Sequence, residues 1–367
     1  MNRYHVTDPI VKDLESYLAK YISFADTCYS LPLALWTIGT FLFTEFDTFP
    51  YVVITSTTKR SGKSRLSEVL SFACSNPRPF GAMTPATVFN SMEGDANPTL
   101  FFDEAEVLSS EAASTMRAVL NMGYRRGQSV PRMDRGIVKE FPTYCPKVFI
   151  LIGDVSDTLK DRSIMVRMKR GTPALRFIFE PVRAEGGVLR ERITSLLTDV
   201  TIGALSEAFQ NHKGLTFLTD RDEELWTSLF VIASVFCPDR MDELSRYAVD
   251  IATEKTQESY RYVNLLGEEK KAEDDEYAIR LLADVHALLH GHAALETRVL
   301  LDKLKALPTS PWRKFRGDGL TVRNMADMLS RFGVAPVLIR FGPRQQNNVK
   351  RGYKASEVAE AIKKGAH

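Results

Sequence analysis

Three short clusters in this sequence carry side chains whose types and spacing suit phosphoryl chemistry. The first is Thr57-Thr58-Lys59-Arg60-Ser61-Gly62-Lys63-Ser64, between an apolar run and a helical one. It matches the spacing of a phosphate-binding loop, with Thr57 standing where the first glycine of that pattern lies. In such a loop Gly62 lets the backbone approach the phosphates, and amides at the helix start face the anion with the helix dipole behind them. The expected nucleotide cradle is therefore Thr58, Lys59, Arg60, Ser61, Gly62, Lys63, Ser64 and Arg65. Lys63 would reach the β and γ phosphates, and the Ser64 hydroxyl would ligate magnesium.

The second cluster is Asp103-Glu104, directly after the apolar run Pro98-Thr-Leu-Phe-Phe102. Two adjacent carboxylates at the end of a buried strand are costly without a cation. Asp103 is expected to hold the magnesium ion, and Glu104 to orient and activate the attacking water. The third cluster surrounds Arg162, in the segment Asp157 to Arg170 after a third apolar run. An arginine there can stabilise charge on the γ phosphate, most usefully from a neighbouring subunit. Asp154, at the end of that run, is the candidate for orienting the water. ATP and magnesium are the expected ligands, and ATP hydrolysis the expected reaction.

These groups need a frame to hold them. Tyr51 to Thr55 reads as a buried strand and Ser64 to Ala73 as a helix. Pro98 to Phe102 and Val148 to Ile152 read as further strands, and Ser110 to Leu120 as a helix between them. Strands alternating with helices predict an α/β fold, a parallel sheet with helices on both faces. Ahead of it, Asp8-Pro9 predicts a capped helix start, with Ile10, Leu14, Tyr17, Leu18 and Tyr21 at helical spacing. Leu31 to Phe43 reads as a buried helix too short to span a membrane. Helices are expected over Val188 to Phe209, Glu223 to Val235, Ala278 to His290 and Thr297 to Leu304. The acidic stretch from Glu268 to Glu276 is the expected linker.

A chain of 367 residues exceeds the size of a single core, so at least two domains are expected. Hydrophobic residues at 44% and charged residues at 26% are ordinary for a globular protein. The first residues lack a basic start and an apolar run, which predicts an intracellular, cytoplasmic protein. Cys28, Cys74, Cys145 and Cys237 have no paired spacing, so neither zinc nor a disulfide framework is expected. Net charge is 48 − 46 = +2. From Pro311 onward, however, twelve Lys or Arg stand against four Asp or Glu.

Phe46 to Pro50, Asn121 to Gly127, Pro146-Lys147 and Thr158 to Ile164 together resemble the domain-of-unknown-function family 3631 of P-loop ATPases, met in phages and other mobile elements. The resemblance runs from about Trp36 to Tyr353 and includes Asp220 to Trp226 and Gly352-Tyr353. The order of elements is also similar to the AAA+ class and to hexameric superfamily III helicases. That resemblance implies a hexameric ring with ATP sites between subunits, and it makes Arg221 a candidate second sensor arginine.

Gly136 to Phe141 reads as a strand of a hairpin ahead of the third sheet strand. In the helicases this chain resembles, a hairpin there meets DNA in the pore, so Arg125, Arg126, Arg132 and Arg135 are expected to touch single-stranded DNA. Leu320 to Gly333 reads as a helix with Thr321 as cap and Gly333 as stop, and Val337 to Phe341 with Arg351 to Lys354 as a hairpin. Helix, hairpin, helix suggests a winged helix, with Arg323, Arg344, Lys350 and Arg351 available to duplex DNA. The expected division is an N-terminal helical segment over 1–46, an ATPase core over 47–180, a helical lid over 181–266 and a DNA-binding module over 277–367. Two functions compete: a DNA translocase or helicase for a mobile element, and a regulatory or defence ATPase that switches assembly with protein partners.

Overall fold

The computed structural model describes residues 4–56, 60–80, 91–92, 97–103, 119–134, 137–152, 155, 157–266, 272–315, 319–341 and 349–365. The chain divides into two compact units, Met1–Ile251 and Ala252–His367. Each has its own buried apolar cluster.

The first unit opens with α1 (Ile10–Tyr21), whose Ile10, Leu14, Tyr17, Leu18 and Tyr21 are buried as their spacing predicts. Its start differs from expectation. No side chain among the described residues caps α1, and the Asp8 carboxylate instead accepts hydrogen bonds from Arg192 at 2.5 and 3.0 Å. α2 (Ser30–Gly39) is apolar on every side and buried from Leu31 onward. Its Trp36 Nε1 donates to the Pro50 carbonyl at 2.8 Å and so anchors the chain just ahead of the first strand.

There follow β1 (Tyr51–Ser56), α3 (Lys63–Ala73), β2 (Pro77–Phe80), β3 (Thr99–Phe102), β4 (Ser129–Asp134), β5 (Ile137–Pro142), β6 (Lys147–Ile152), α4 (Asp157–Lys160) and β7 (Ser163–Arg167). Five of the strands form a sheet in the order β2-β3-β6-β1-β7, with every neighbouring pair parallel. Helices flank it. β1 is buried along its whole length, which its unbroken apolar run requires. β2 carries Pro77 and Pro79, tolerated because it is an edge strand. β7 is a strand beyond those expected: Ser163-Ile-Met-Val-Arg167 pairs with β1 from Tyr51↔Ser163 to Thr55↔Arg167. β4 and β5 form a separate antiparallel hairpin. Val130 and Phe141 are buried at its base, whereas Met133, Ile137 and Val138 are exposed toward its tip.

Beyond the sheet come α5 (Phe179–Leu196), α6 (Asp199–Gln210), α7 (Asp220–Phe236) and the start of α8 (Met241–Leu266). The single helix expected over Val188 to Phe209 is two. Thr198 interrupts it by accepting the Thr201 amide at its hydroxyl, 3.3 Å away, as an N-cap. Side chains of α5, α6 and α7 join the same apolar cluster as the sheet. All four cysteines are buried, and none is in a disulfide. Burial pushes the Cys74 and Cys237 thiols up to about 12, so they stay protonated.

In the second unit, α9 (Ala272–Leu289), β8 (Ala294–Glu296), α10 (Thr297–Ala306), α11 (Val322–Ser330), β9 (Val337–Arg340), β10 (Val349–Lys354) and α12 (Ala355–Gly365) follow in order. The strands make an antiparallel sheet β8-β10-β9. Leu281, Val285, Trp312, Leu329 and Tyr353 belong to the core of this unit. Part of the expected acidic linker is helical. Residues 267–271 lie outside the described residues, and Ala272 to Glu276 begin α9. α11 behaves as its sequence predicts, with Thr321 accepting the Asn324 amide at 3.2 Å and Gly333 at a φ of +72° beyond its end. No described helix is long and apolar enough to cross a membrane.

Candidate functional site

Parallel strands bring all their C-terminal ends to one edge, and of the expected site residues Arg60 to Arg65 and Asp103 follow strand ends there. Past β1, Arg60 and Gly62 have positive φ angles of 62° and 88°. Gly62 stands at the N-cap of α3, and no side chain among the described residues caps that helix. The first-turn amides of a helix have no partner within the helix, and anion binding at a helix start uses them. Lys63 is buried, and its Nζ donates to Ser56 Oγ at 2.7 Å and lies 3.4 Å from Ser61 Oγ. Ser61 also donates to Ser56, at 2.8 Å. Ser64 is exposed one residue on, and Arg65 is half-buried. Thr57, Thr58 and Lys59 lie outside the described residues.

β3 ends in Asp103 on the same edge, two strands from β1 through β6. Interstrand spacing puts these strand ends about 10 Å apart. Glu104 and Asp154 follow the ends of β3 and β6 and lie outside the described residues.

Arg162 and Arg221 are elsewhere. The Tyr51 amide donates to the Arg162 carbonyl at 2.9 Å, so Arg162 sits at the N-terminal end of β1. That strand is about 17 Å long at ordinary rise, which separates Arg162 from the Gly62 edge of its own chain. Arg221, at the start of α7, joins it there. Both guanidinium groups lie over the Tyr124 ring, at 5.1 Å for Arg162 and 5.6 Å for Arg221, and Arg125 does so at 5.4 Å. Arg221 donates to the Tyr124 hydroxyl at 2.8 Å. Glu224 accepts from Arg125 at 2.5 Å and from Arg221 at 2.8 Å. Arg162 donates from Nη1 to the Thr158 carbonyl at 2.6 Å, while its Nε is buried without a hydrogen-bond partner among the described residues. Sequence reading misses Tyr124 and Glu224, although both stand in the stretches Asn121 to Gly127 and Asp220 to Trp226.

Arg125 and Arg126 precede the hairpin and have partners in the chain. Arg126 donates to Asp47 at 2.8 Å and to the Thr44 carbonyl at 2.9 Å. Arg132 is on β4, in register with Lys139 on β5. Arg135 lies outside the described residues.

Lys147 is fully buried and donates to the carbonyls of Thr143, Cys145 and Gly123 at 2.7, 3.0 and 3.2 Å. Burial pushes its ammonium below the ordinary lysine range. Gly123 is required beside it, since a Cβ there would stand 2.6 Å from Lys147 Nζ. This clamp ties the base of the β4–β5 hairpin to the chain before it.

In the second unit Arg323 is exposed on α11, and Arg351 is exposed on β10. Lys350 is bonded to Glu296 at 2.7 Å. Arg344 lies outside the described residues.

A family model described as a protein of unknown function (DUF3631) matches residues 164–364. The match covers more than half of the chain, from β7 to α12, and begins after the Gly62 to Ser64 loop. No curated protein matches the chain.

Proposed function

This chain belongs to the DUF3631 family, and we propose that it is an ATP-hydrolysing DNA translocase or helicase that works as a ring, with each nucleotide site completed by a neighbouring copy. The observation that carries this reading is the start of α3 behind the positive-φ Gly62, without a side-chain cap among the described residues, at the C-terminal edge of β1 with Asp103 on the same edge. Ligands of open parallel sheets bind at that edge.

In this reading the loop amides and Lys63 bind the phosphates. Lys63 leaves the Ser56 and Ser61 hydroxyls to do so. Ser64 and Asp103 would hold a magnesium ion, which when bound supplies positive charge beside the phosphates. Glu104 orients the attacking water and accepts its proton. Arg162 and Arg221, set about 17 Å from their own loop, serve the site of the next copy. The β4–β5 hairpin touches single-stranded DNA, and the second unit is read as a winged helix that engages duplex DNA through Arg323 and Arg351.

Magnesium-dependent release of phosphate from ATP by the wild-type protein, lost in Lys63→Ala and in Glu104→Gln, is the expected result. Equal turnover in all three proteins would remove the reading. A fork-unwinding assay on the same preparations separates translocase from switch: hydrolysis without unwinding would favour an ATPase that switches assembly with protein partners.

A further inference from the structure

Sheet order gives the proposed nucleotide a direction. Asp103 ends β3, on one side of β1, while β7 flanks β1 on the other. Terminal phosphates directed toward Ser64 and Asp103 leave the α-phosphate, ribose and base pointing toward β7.

The chain leaving β7 is built over that side. The Met168 amide donates to the Thr55 carbonyl at 2.8 Å, and the Met168 methyl lies 3.6 Å from where a Cβ on Gly62 would stand. Farther on, the Leu175 amide donates to the Lys20 carbonyl at 2.8 Å. Phe179 meets Phe72 of α3 edge to face at 5.5 Å. Between these two anchors the Phe177 ring lies against the Arg65 guanidinium, 3.7 Å from ring centroid to Cζ. Phe177 packs on the core of the unit. The Arg65 side chain keeps 40% of its surface exposed, and Glu68 is 3.9 Å away, at the limit of an ion pair.

A guanidinium is planar and stacks on both faces, which a lysine ammonium does not do. We infer that the Arg65–Phe177 stack is the platform on which the nucleobase lies, with the base on the outer face of Arg65 and Phe177 as its backing. The inference rests on the nucleotide-binding reading above and adds the residues that distinguish a nucleotide from a bare polyphosphate. Stacking accepts any base, with purines favoured by their larger face.

The test compares magnesium-ATP, magnesium-UTP and magnesium-tripolyphosphate binding to the full chain by calorimetry. Wild type should bind ATP about tenfold or more tighter than tripolyphosphate, and ATP tighter than UTP. Arg65→Lys keeps the charge but loses the plane, and Phe177→Ala removes the backing. Each should weaken ATP about tenfold and tripolyphosphate by much less, and Phe177→Trp should restore ATP. A thermal melt checks that each variant is folded, and Arg65→Lys, on the protein surface, stands alone if Phe177→Ala unfolds. Unchanged ATP affinity in Arg65→Lys, equal weakening of ATP and tripolyphosphate, or a wild type that does not prefer ATP over tripolyphosphate would each overturn the platform. Failure of wild type to bind either ligand would instead remove the nucleotide-binding reading, and the platform with it.

Discussion

The Tyr51 amide and the Arg162 carbonyl, 2.9 Å apart, fix Arg162 to the N-terminal end of the strand whose other end leads into Gly62 and Lys63. One chain thus carries the loop and the arginine at opposite edges of its sheet, about 17 Å apart along β1. An arginine that far away lends no charge to its own γ phosphate. In the ATPase reading, the two edges meet only between copies.

Complementation follows from that separation. Lys63→Ala and Arg162→Ala proteins should each be inactive alone and should regain ATPase activity when mixed, because mixed neighbours pair an intact loop with an intact arginine. Activity should peak near equal amounts of the two. No recovery at any ratio would leave a site completed within one chain, contrary to the geometry of β1 and β7.

A second prediction concerns the hairpin. Arg132 and Lys139 share one register position across β4 and β5. Both residues are basic, the residue type that a phosphate backbone attracts. Each phosphate that loses its cation should reduce the salt slope of log K for single-stranded DNA by about 0.7. Arg132→Ala with Lys139→Ala should therefore weaken DNA binding most at low salt and flatten its salt dependence by roughly 1.4, measured by anisotropy. An unchanged slope would remove the hairpin from the DNA path.

Much of the frame is legible in the sequence because periodicity reports burial. β1, α3, β3 and β6 stand where apolar runs and helical spacing predict them. β7 is harder to see because its five residues continue directly from the arginine segment, although Ile164, Met165 and Val166 carry an ordinary buried-strand signal. The arginine cluster on Tyr124 is not legible, since Arg221 reaches that ring across 97 residues of sequence. Nor is the role of Lys147, because its partners are backbone carbonyls, which no side-chain pattern encodes.

The Lys147 clamp should be structural. Lys147→Met keeps the apolar stem but takes the ammonium from three carbonyls, of which Gly123 keeps the Cys145 amide at 3.4 Å while Thr143 and Cys145 lie at the base of the hairpin. The cost of unmade buried hydrogen bonds is about 1–3 kcal/mol each, offset by removal of a buried charge. A net loss of about 3 kcal/mol would lower Tm by roughly 6–12 °C in a unit of this size. Gly123→Ala should produce a comparable loss, since the added methyl meets the Thr143 carbonyl at 2.6 Å. A Tm within about a degree of wild type for both variants would show that the clamp carries no stability.

In the second unit Tyr353 is the opposite case. Its side chain is fully buried beside Gly352, and its hydroxyl has no hydrogen-bond partner among the described residues. Burial raises its pKa from 10 to about 12. A raised phenol pKa means that the folded state disfavours the phenolate, so the associated stability is present below pH 10 and is lost as pH rises toward 12. Tyr353→Phe deletes the orphan hydroxyl and keeps the ring. It should stabilise the unit by about 1 kcal/mol at neutral pH, the desolvation cost of an unpaired hydroxyl. It should also lose stability less steeply than wild type between about pH 10 and about pH 12, because one group no longer ionises on unfolding. Urea melts at about pH 7 and about pH 10.5 measure both effects. Destabilisation at neutral pH would mean that the hydroxyl has a partner in solution, and a parallel pH dependence would mean that Tyr353 is not buried there.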